Sequence, residues 1–401
     1  MRLFGNIGRV VIVAASVSIG LSVAANAACR NTGNFNKWLA DFKSEARANG
    51  ISDRTIKNAL GNVSYSKKVI GNDRKQVVFS LSFLDFSSRL ISQNRLNVGR
   101  SKLKKNANMF QQIENTYGAP GPVLTAFWGL ETDFGGNIGN FPTLTALATL
   151  AYDCRRPELF RPQLMDALRL IDRGDLSANQ MIGAWAGELG QTQFLPSDYF
   201  QRGIDFDGDG TVNLLRSAPD ALASSANLLR HHGWKAGQPW LEEVVVPAEL
   251  PWEQADIAIK LPRSQWAQWG VTYRDGQALP GDQMPVSLHL PMGRHGPAFL
   301  AYENFDVYTE WNQSLVYATT AAYFATRLAG APKVSAGRKK VQSLSGNQVK
   351  QLQRKLEAKG YDVGGVDGTI GAKTRAAVKD MQIKLGMPAD SFPTPDLLRR
   401  L

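Results

Sequence analysis

The chain has 401 residues, 43% hydrophobic and 20% charged, which argues against a disordered chain and leaves room for a full core in more than one domain. Its formal charge of +11 is unevenly placed: residues 333–401 hold 14 Lys and Arg against 6 Asp and Glu, whereas residues 28–332 hold 30 against 29. A basic tail on a nearly neutral body predicts an acidic partner for the tail, such as cell-wall polymer or anionic lipid.

Residues 1–27 read as a secretory signal peptide: Arg2 and Arg9 precede the apolar run Val10 to Val23, and the small residues Ala25 to Ala27 end it. A membrane anchor is the competing reading, but the run is short for a span and a cleavage-type site follows it. Export places the protein in the periplasm and removes nucleic acid from the expected partners. The only two cysteines, Cys29 and Cys154, both follow the cleavage point, and an even count in an exported chain predicts one disulfide. A lipid on Cys29 is the second reading; Asn26-Ala27-Ala28 lacks the leucine usual three residues before a lipidated cysteine.

Trp38, Phe42 and Ala46 recur at helical spacing, and Val78 to Leu84, Met181 to Leu189 and Ala221 to Leu229 predict further amphipathic helices. Val244 to Leu261 and Val286 to Leu290 are β-branched and proline-studded enough for a few short strands. Residues 28–330 therefore read as one mainly α domain with a small β insert. Residues 331–345, small and basic, without aromatic or acidic side chains, read as a linker. Beyond it Val349, Leu352 and Leu356 stop at Gly360, Ala377, Val378, Met381 and Leu385 stop at Gly386, and Thr394-Pro395 opens a last turn. Residues 346–401 are thus expected to form a three-helix domain with a thin core.

Glu131 stands among Phe127, Trp128, Leu130 and Phe134, near the end of a helix that Gly121-Pro122 starts. Apolar surroundings and the negative end of a helix dipole both disfavour its ionised form. A carboxylic acid that stays protonated near neutral pH suits general acid catalysis; a structural pairing with a nearby arginine is the alternative. From Gly183 to Phe200, Gln191, Gln193, Ser197 and Tyr199 set amides and hydroxyls beside aromatic rings, a mixture suited to sugars, although a polar helix end followed by a turn would read the same.

Asp205, Asp207 and Asp209 alternate before Gly210, and Thr211 follows, as in the front half of an EF-hand loop. Position twelve is Arg216 instead of glutamate, so Asp220 is the candidate for the closing carboxylate; a solvated Asp/Gly turn is the alternative. The four histidines, two of them adjacent as His231-His232, show no metal spacing, and a surface role is expected.

In this order, "WGLETDFGG", "DCRRPELF", "GELGQTQFLPSDY", "DFDGDG" and "WNQSLVYA" resemble the membrane-bound lytic murein transglycosylase B family, glycoside hydrolase family 103, from about Trp38 to Leu328. The tail, with "LQRKLEAKGY" and "VDGTIGAKTRAAVKDMQ", resembles a type 1 peptidoglycan-binding domain. The resemblance implies a lysozyme-like α+β core. It also implies a carbon–oxygen lyase that cuts the MurNAc–GlcNAc β-1,4 bond of peptidoglycan, Glu131 serving first as acid and then as base to leave a 1,6-anhydroMurNAc end. It further places Gln193, Asn312, Trp311 and Tyr317 on the glycan, beside the Tyr199 already read as a sugar-site candidate, and Arg155 and Arg156 on stem-peptide carboxylates. Asp205, Asp207, Asp209, Thr211 and Asp220 are the implied set for a structural Ca2+, with no cofactor needed for the chemistry. Glycan strands and stem peptides are then the partners of a monomer, with peripheral association to membrane or cell-wall synthesis proteins left open. Ala184 stands where a serine is sometimes found, which removes one polar contact. A hydrolytic muramidase and a non-catalytic peptidoglycan-binding scaffold remain as other readings.

Overall fold

The computed structural model describes residues 33–74 and 81–401. The signal-peptide reading and Cys29 lie outside these residues, while Cys154 is in a disulfide. No described helix is long and apolar enough to cross a membrane.

The body is helical, as its periodicity predicts. Phe35–Ala48 opens it, capped by Asn34, and buries the expected Phe42 and Ala46 together with Leu39, while Trp38 is only half-buried. Gly121–Thr132, with Pro122 in its first turn, is buried almost all round. It packs against Leu315–Leu328 in a core that includes Phe127, Trp128, Phe305 and Phe324. Gly129 permits the approach: a Cβ there would stand 2.9 Å from the Phe134 ring and 3.1 Å from that of Phe324. A second helical core joins Thr143–Tyr152 and Pro157–Arg173 to the first helix through Leu147, Leu164, Leu168 and Phe42.

Two predicted helices come out differently. Of Val78 to Leu84, the part before Leu81 lies outside the described residues, and the helix begins only at Phe83, with Ser82 as its cap. Met181 to Leu189 is not a helix: it holds the strand Ile182–Gly183 followed by a turn. Gly187 and Gly190 take φ of 95° and 81°, and such left-handed positions break the 3.6-residue pattern that the apolar residues suggest.

The strands are β1 Phe141–Pro142, β2 Ile182–Gly183, β3 Leu241–Val245, β4 Leu261–Pro262, β5 Thr272–Tyr273, β6 Pro285–His289 and β7 Ala298–Ala301. β1 and β2 form a small antiparallel pair, and the β insert is a sheet of order β4-β6-β7-β3-β5. Within it β3 sets Leu241 opposite Ala301, and β6 sets His289 opposite Phe299. Trp252, Trp266, Val286 and Leu288 fill a separate core beneath the sheet.

The tail helices are Gly346–Glu357, Ala372–Lys384 and Pro395–Arg400, the first closed by a Ser345/Gln348 capping box. Val349, Leu352, Val378 and Leu397 make the thin core expected of them. The preceding basic stretch is strapped to the body: Val334 N–H donates to Tyr323 Oη at 3.0 Å and Arg338 N–H to the His295 carbonyl at 2.8 Å. Lys379 of the tail meets Asp256 of the body at 2.9 Å, with only 16% and 19% of the two side chains exposed.

Candidate active site

Glu131 is the second-last residue of Gly121–Thr132, and the chain leaves that helix through Asp133 and Phe134, both left-handed at φ 54° and 62°. Phe134 N–H returns to the Trp128 carbonyl at 3.0 Å, closing the end as a Schellman turn without glycine. Non-glycine residues in this region cost energy and are retained where surrounding contacts over-determine them. Here those contacts are Thr132 Oγ1–H donating to the Gln191 carbonyl at 2.6 Å, and Trp128 Nε1–H donating to Gln191 Oε1 at 2.9 Å. Asp133 turns outward and pairs with Arg95 at 3.0 Å, so it is no partner for Glu131.

From the facing helices, Trp311 Nε1–H donates to Glu131 Oε1 at 3.0 Å and the Tyr317 hydroxyl donates to the same oxygen. Phe127 stacks on the Trp311 ring with centroids 4.2 Å apart, which fixes the indole. Glu131 keeps intermediate exposure in surroundings that are otherwise dense protein. Burial pushes its pKa up to about 7, the Tyr317 and Trp311 donors pull it down, and Glu188 pushes it up again. With both donors on Oε1, the acidic proton resides on Oε2. Such a carboxyl is half protonated near neutrality and can both give and take a proton there.

Gln193 sits in a turn at φ 54°, partly exposed, its amide held by the Gly190 carbonyl at 2.9 Å and Ile138 at 3.3 Å. Asn312 Oδ1 accepts from Ser314 N–H at 2.9 Å, starting Leu315–Leu328, the helix that carries Tyr317. The expectation for Tyr199 needs correction. Tyr199 is fully buried; its hydroxyl donates to Val212 O at 2.8 Å and accepts from Leu214 N–H at 3.1 Å, so it braces the Asp-rich loop and cannot touch a glycan. Arg155 and Arg156 both pair with the buried Asp73 while 40% and 32% of their side chains stay exposed, and the two guanidiniums hold the Asp73 carboxyl below the usual aspartate range despite burial. Asp73 and Glu188 had no sequence signal, because each matters through neighbours distant in the chain.

In the loop, carboxylate oxygens of Asp205, Asp207 and Asp209 lie within 4.8 Å of one another. Asp205 also accepts the Gly208 and Gly210 amides at 2.8 and 2.9 Å, which wraps the backbone round the three acids. Thr211 N–H and Oγ1–H both donate to Asp209. This oxygen-only set fits a hard cation such as Ca2+. Asp220, expected to close the set, instead accepts the amides of Phe206 and Asn213 at 2.9 Å each. It is fully buried, and its charge is spent on holding the loop.

These features set one partly buried, donor-held glutamate in a helical body with an appended tail domain, an arrangement suited to acid–base chemistry. Residues 34–326 match the transglycosylase SLT domain family, and the chain belongs to it; residues 345–401 match the peptidoglycan binding domain family. The membrane-bound lytic murein transglycosylase B of Escherichia coli (strain K12) is 31% identical over 241 residues. That match spans 59% of this chain and 64% of the relative's length. The structure of SltB3 from Pseudomonas aeruginosa in complex with NAG-anhNAM-pentapeptide is 38% identical, covers 92% of this chain and 99% of its own, and superposes with a TM-score of 0.85. The Escherichia coli lytic transglycosylase Slt35 in complex with calcium is 26% identical over 73% of this chain and 92% of its own, with a TM-score of 0.63.

Proposed function

We propose that the protein is an exported, periplasmic lytic transglycosylase that cleaves the MurNAc–GlcNAc bond of peptidoglycan, with Glu131 as its general acid and base. The observation that carries this reading is the Glu131 carboxyl itself: set in dense protein, protonatable near pH 7, and held through one oxygen by Trp311 and Tyr317. Oε2–H gives its proton to the glycosidic oxygen as the C1–O bond breaks, and GlcNAc departs as the alcohol. The charge left on Glu131 is stabilised on Oε1 by the two donors. The sugar's own N-acetyl oxygen supports the cationic C1, so the second carboxylate of an ordinary glycosidase is not required. Glu131 then takes the proton of the C6 hydroxyl as that oxygen attacks C1, closing the 1,6-anhydro ring and restoring the acid.

The tail supports the same substrate. A basic domain docked on the body would hold the enzyme on an anionic polymer and raise its local concentration there. SltB3 was solved with NAG-NAM-pentapeptide and with its anhydro counterpart, which agrees with glycan strands and stem peptides as ligands here.

The test is digestion of purified sacculi by the full chain and by Glu131→Gln, with chain ends read by mass spectrometry. The parent is expected to release 1,6-anhydro ends and Glu131→Gln to be slower by about a hundredfold or more. Ordinary reducing ends would make the enzyme a hydrolase, and undiminished digestion by a folded Glu131→Gln would leave the glutamate structural.

A further inference from the structure

Gln191, one of the amides that the sequence sets in a sugar-suited mixture, is only 6% exposed and faces protein on both sides. All four of its polar groups are engaged. Towards the Glu131 helix, its carbonyl accepts from Thr132 Oγ1–H at 2.6 Å and its Oε1 from Trp128 Nε1–H at 2.9 Å. Towards the Asp-rich loop, its N–H donates to the Leu214 carbonyl at 2.9 Å and its Nε2–H, more weakly, to that of Leu215 at 3.5 Å. One buried residue thus bridges two segments far apart in the chain.

The bridge is closely built. Gly135 and Gly190 stand at φ 84° and 81°; a Cβ on Gly135 would come 2.5 Å from Gln191 Oε1, and one on Gly190 2.7 Å from the Leu214 carbonyl. The loop end is braced in turn: Leu214 N–H donates to the buried Tyr199 hydroxyl, and Asn213 Oδ1 accepts the amides of Leu215 and Arg216 at 3.3 and 3.1 Å. Trp128 and Thr132 share one helix face and flank Glu131 in the chain. Trp311 and Tyr317 hold the tip of the carboxyl, whereas Gln191 holds the helix end that carries it.

We propose that Gln191 is a positioning residue for the reaction: it sets the helix end so that the Glu131 carboxyl meets the glycosidic oxygen, and it joins that end to the Asp-rich loop. This rests on the reading of Glu131 as the acid. Proton transfer requires hydrogen-bond reach, and a displacement of about 1 Å at the donor can cost about a hundredfold in rate. Contacts at the tip of a carboxyl leave the helix that carries it free to shift; a second anchor on an adjoining face removes that freedom. Order in the loop is thereby order at the acid.

The test is steady-state kinetics of Gln191→Leu in the full chain, on soluble glycan strands and well below the unfolding range. The side chain's two bonds are lost and its bulk is kept, so kcat is expected to fall by about tenfold or more with KM little changed. A lowered Tm with kcat intact is what a purely structural role gives, and overturns the proposal. Adding Trp128→Phe to Gln191→Leu removes donor and acceptor together and leaves no buried orphan between them, so Tm should recover and kcat should not; recovery of both overturns the proposal. Asn213→Ala loosens the loop beneath Gln191 and should lower kcat by about twofold or more in the parent, but no further in Gln191→Leu. Independent losses overturn the proposal. The indole N–H signal of Trp311 in NMR, assigned through Trp311→Phe, reads the Glu131 carboxyl without turnover; it should shift in Gln191→Leu, and an unmoved signal overturns the proposal. Inactivity of Glu131→Gln separates these failures from failure of the acid assignment.

Discussion

Trp311 and Glu131, separated by 180 residues, meet through a 3.0 Å hydrogen bond from the indole N–H to Oε1. The ring that donates is clamped between Phe127 and Phe194, so the donor is aimed before any substrate arrives. Preorganisation of this kind lets a hydrogen bond stabilise developing charge without a reorganisation cost at the moment of reaction.

Trp311→Phe keeps an aromatic ring and removes the donor. Donors to Oε1 favour the anion, so their loss raises the Glu131 pKa from about 7. The basic limb of kcat/KM should move up by about half a unit. Tyr317→Phe should move it the same way. A downward or absent shift in the pH–rate profile would contradict the hydrogen-bond assignment.

The Asp-rich loop separates two roles. Asp207→Ala removes an oxygen of the three-acid cluster and should abolish any calcium-dependent rise in Tm, with little cost in the presence of chelator. Asp220→Ala strips buried amides of their acceptor and should cost about 2–4 kcal/mol with or without calcium, read by denaturant unfolding. Equal behaviour of the two variants in chelator would show that Asp220 is not the loop's internal support.

His289 is buried beside Thr319, whose hydroxyl donates to the Leu315 carbonyl at 2.6 Å and therefore accepts from the ring Nε2–H at 2.9 Å. Burial, reinforced by Arg375 of the tail, drives its pKa down from 6.5 to about 3. The folded state thus excludes a proton that the unfolded chain binds. Stability from this group is complete above pH 6.5 and is lost as pH falls towards 3, by at most about 1.4 kcal/mol per unit. Unfolding of His289→Phe should lack this acid dependence between those limits. This histidine also departs from the surface role expected from sequence, since its burial comes from β6 and the helix Leu315–Leu328 closing over it.

Much of the arrangement was legible in order along the chain. Apolar residues at helical spacing marked Phe35–Ala48, Gly121–Thr132 and the tail helices, because a half-buried helix must repeat every 3.6 residues. Glu131 was recognisable for the same reason: a lone acid on an otherwise apolar helix can be read without knowing its neighbours. The alternating acids of the Asp loop were equally local. The segment Met181 to Leu189 was misread because glycines at left-handed φ, not apolar spacing, decided its path.

Sequence by itself determined the helical body, the separate basic tail, the Asp loop and the acid at the end of a buried helix, since each depends on residues a few positions apart. Tertiary structure alone decided what those residues face. It turned Tyr199 inward under a loop, gave Arg155 and Arg156 the buried Asp73, spent Asp220 on backbone amides, and brought Trp311 and Tyr317 to one carboxyl. The physical reason is range: periodicity and turn chemistry act over a few residues, whereas burial and charge act through space, and the pKa of Glu131 is set by groups that only the packed chain assembles.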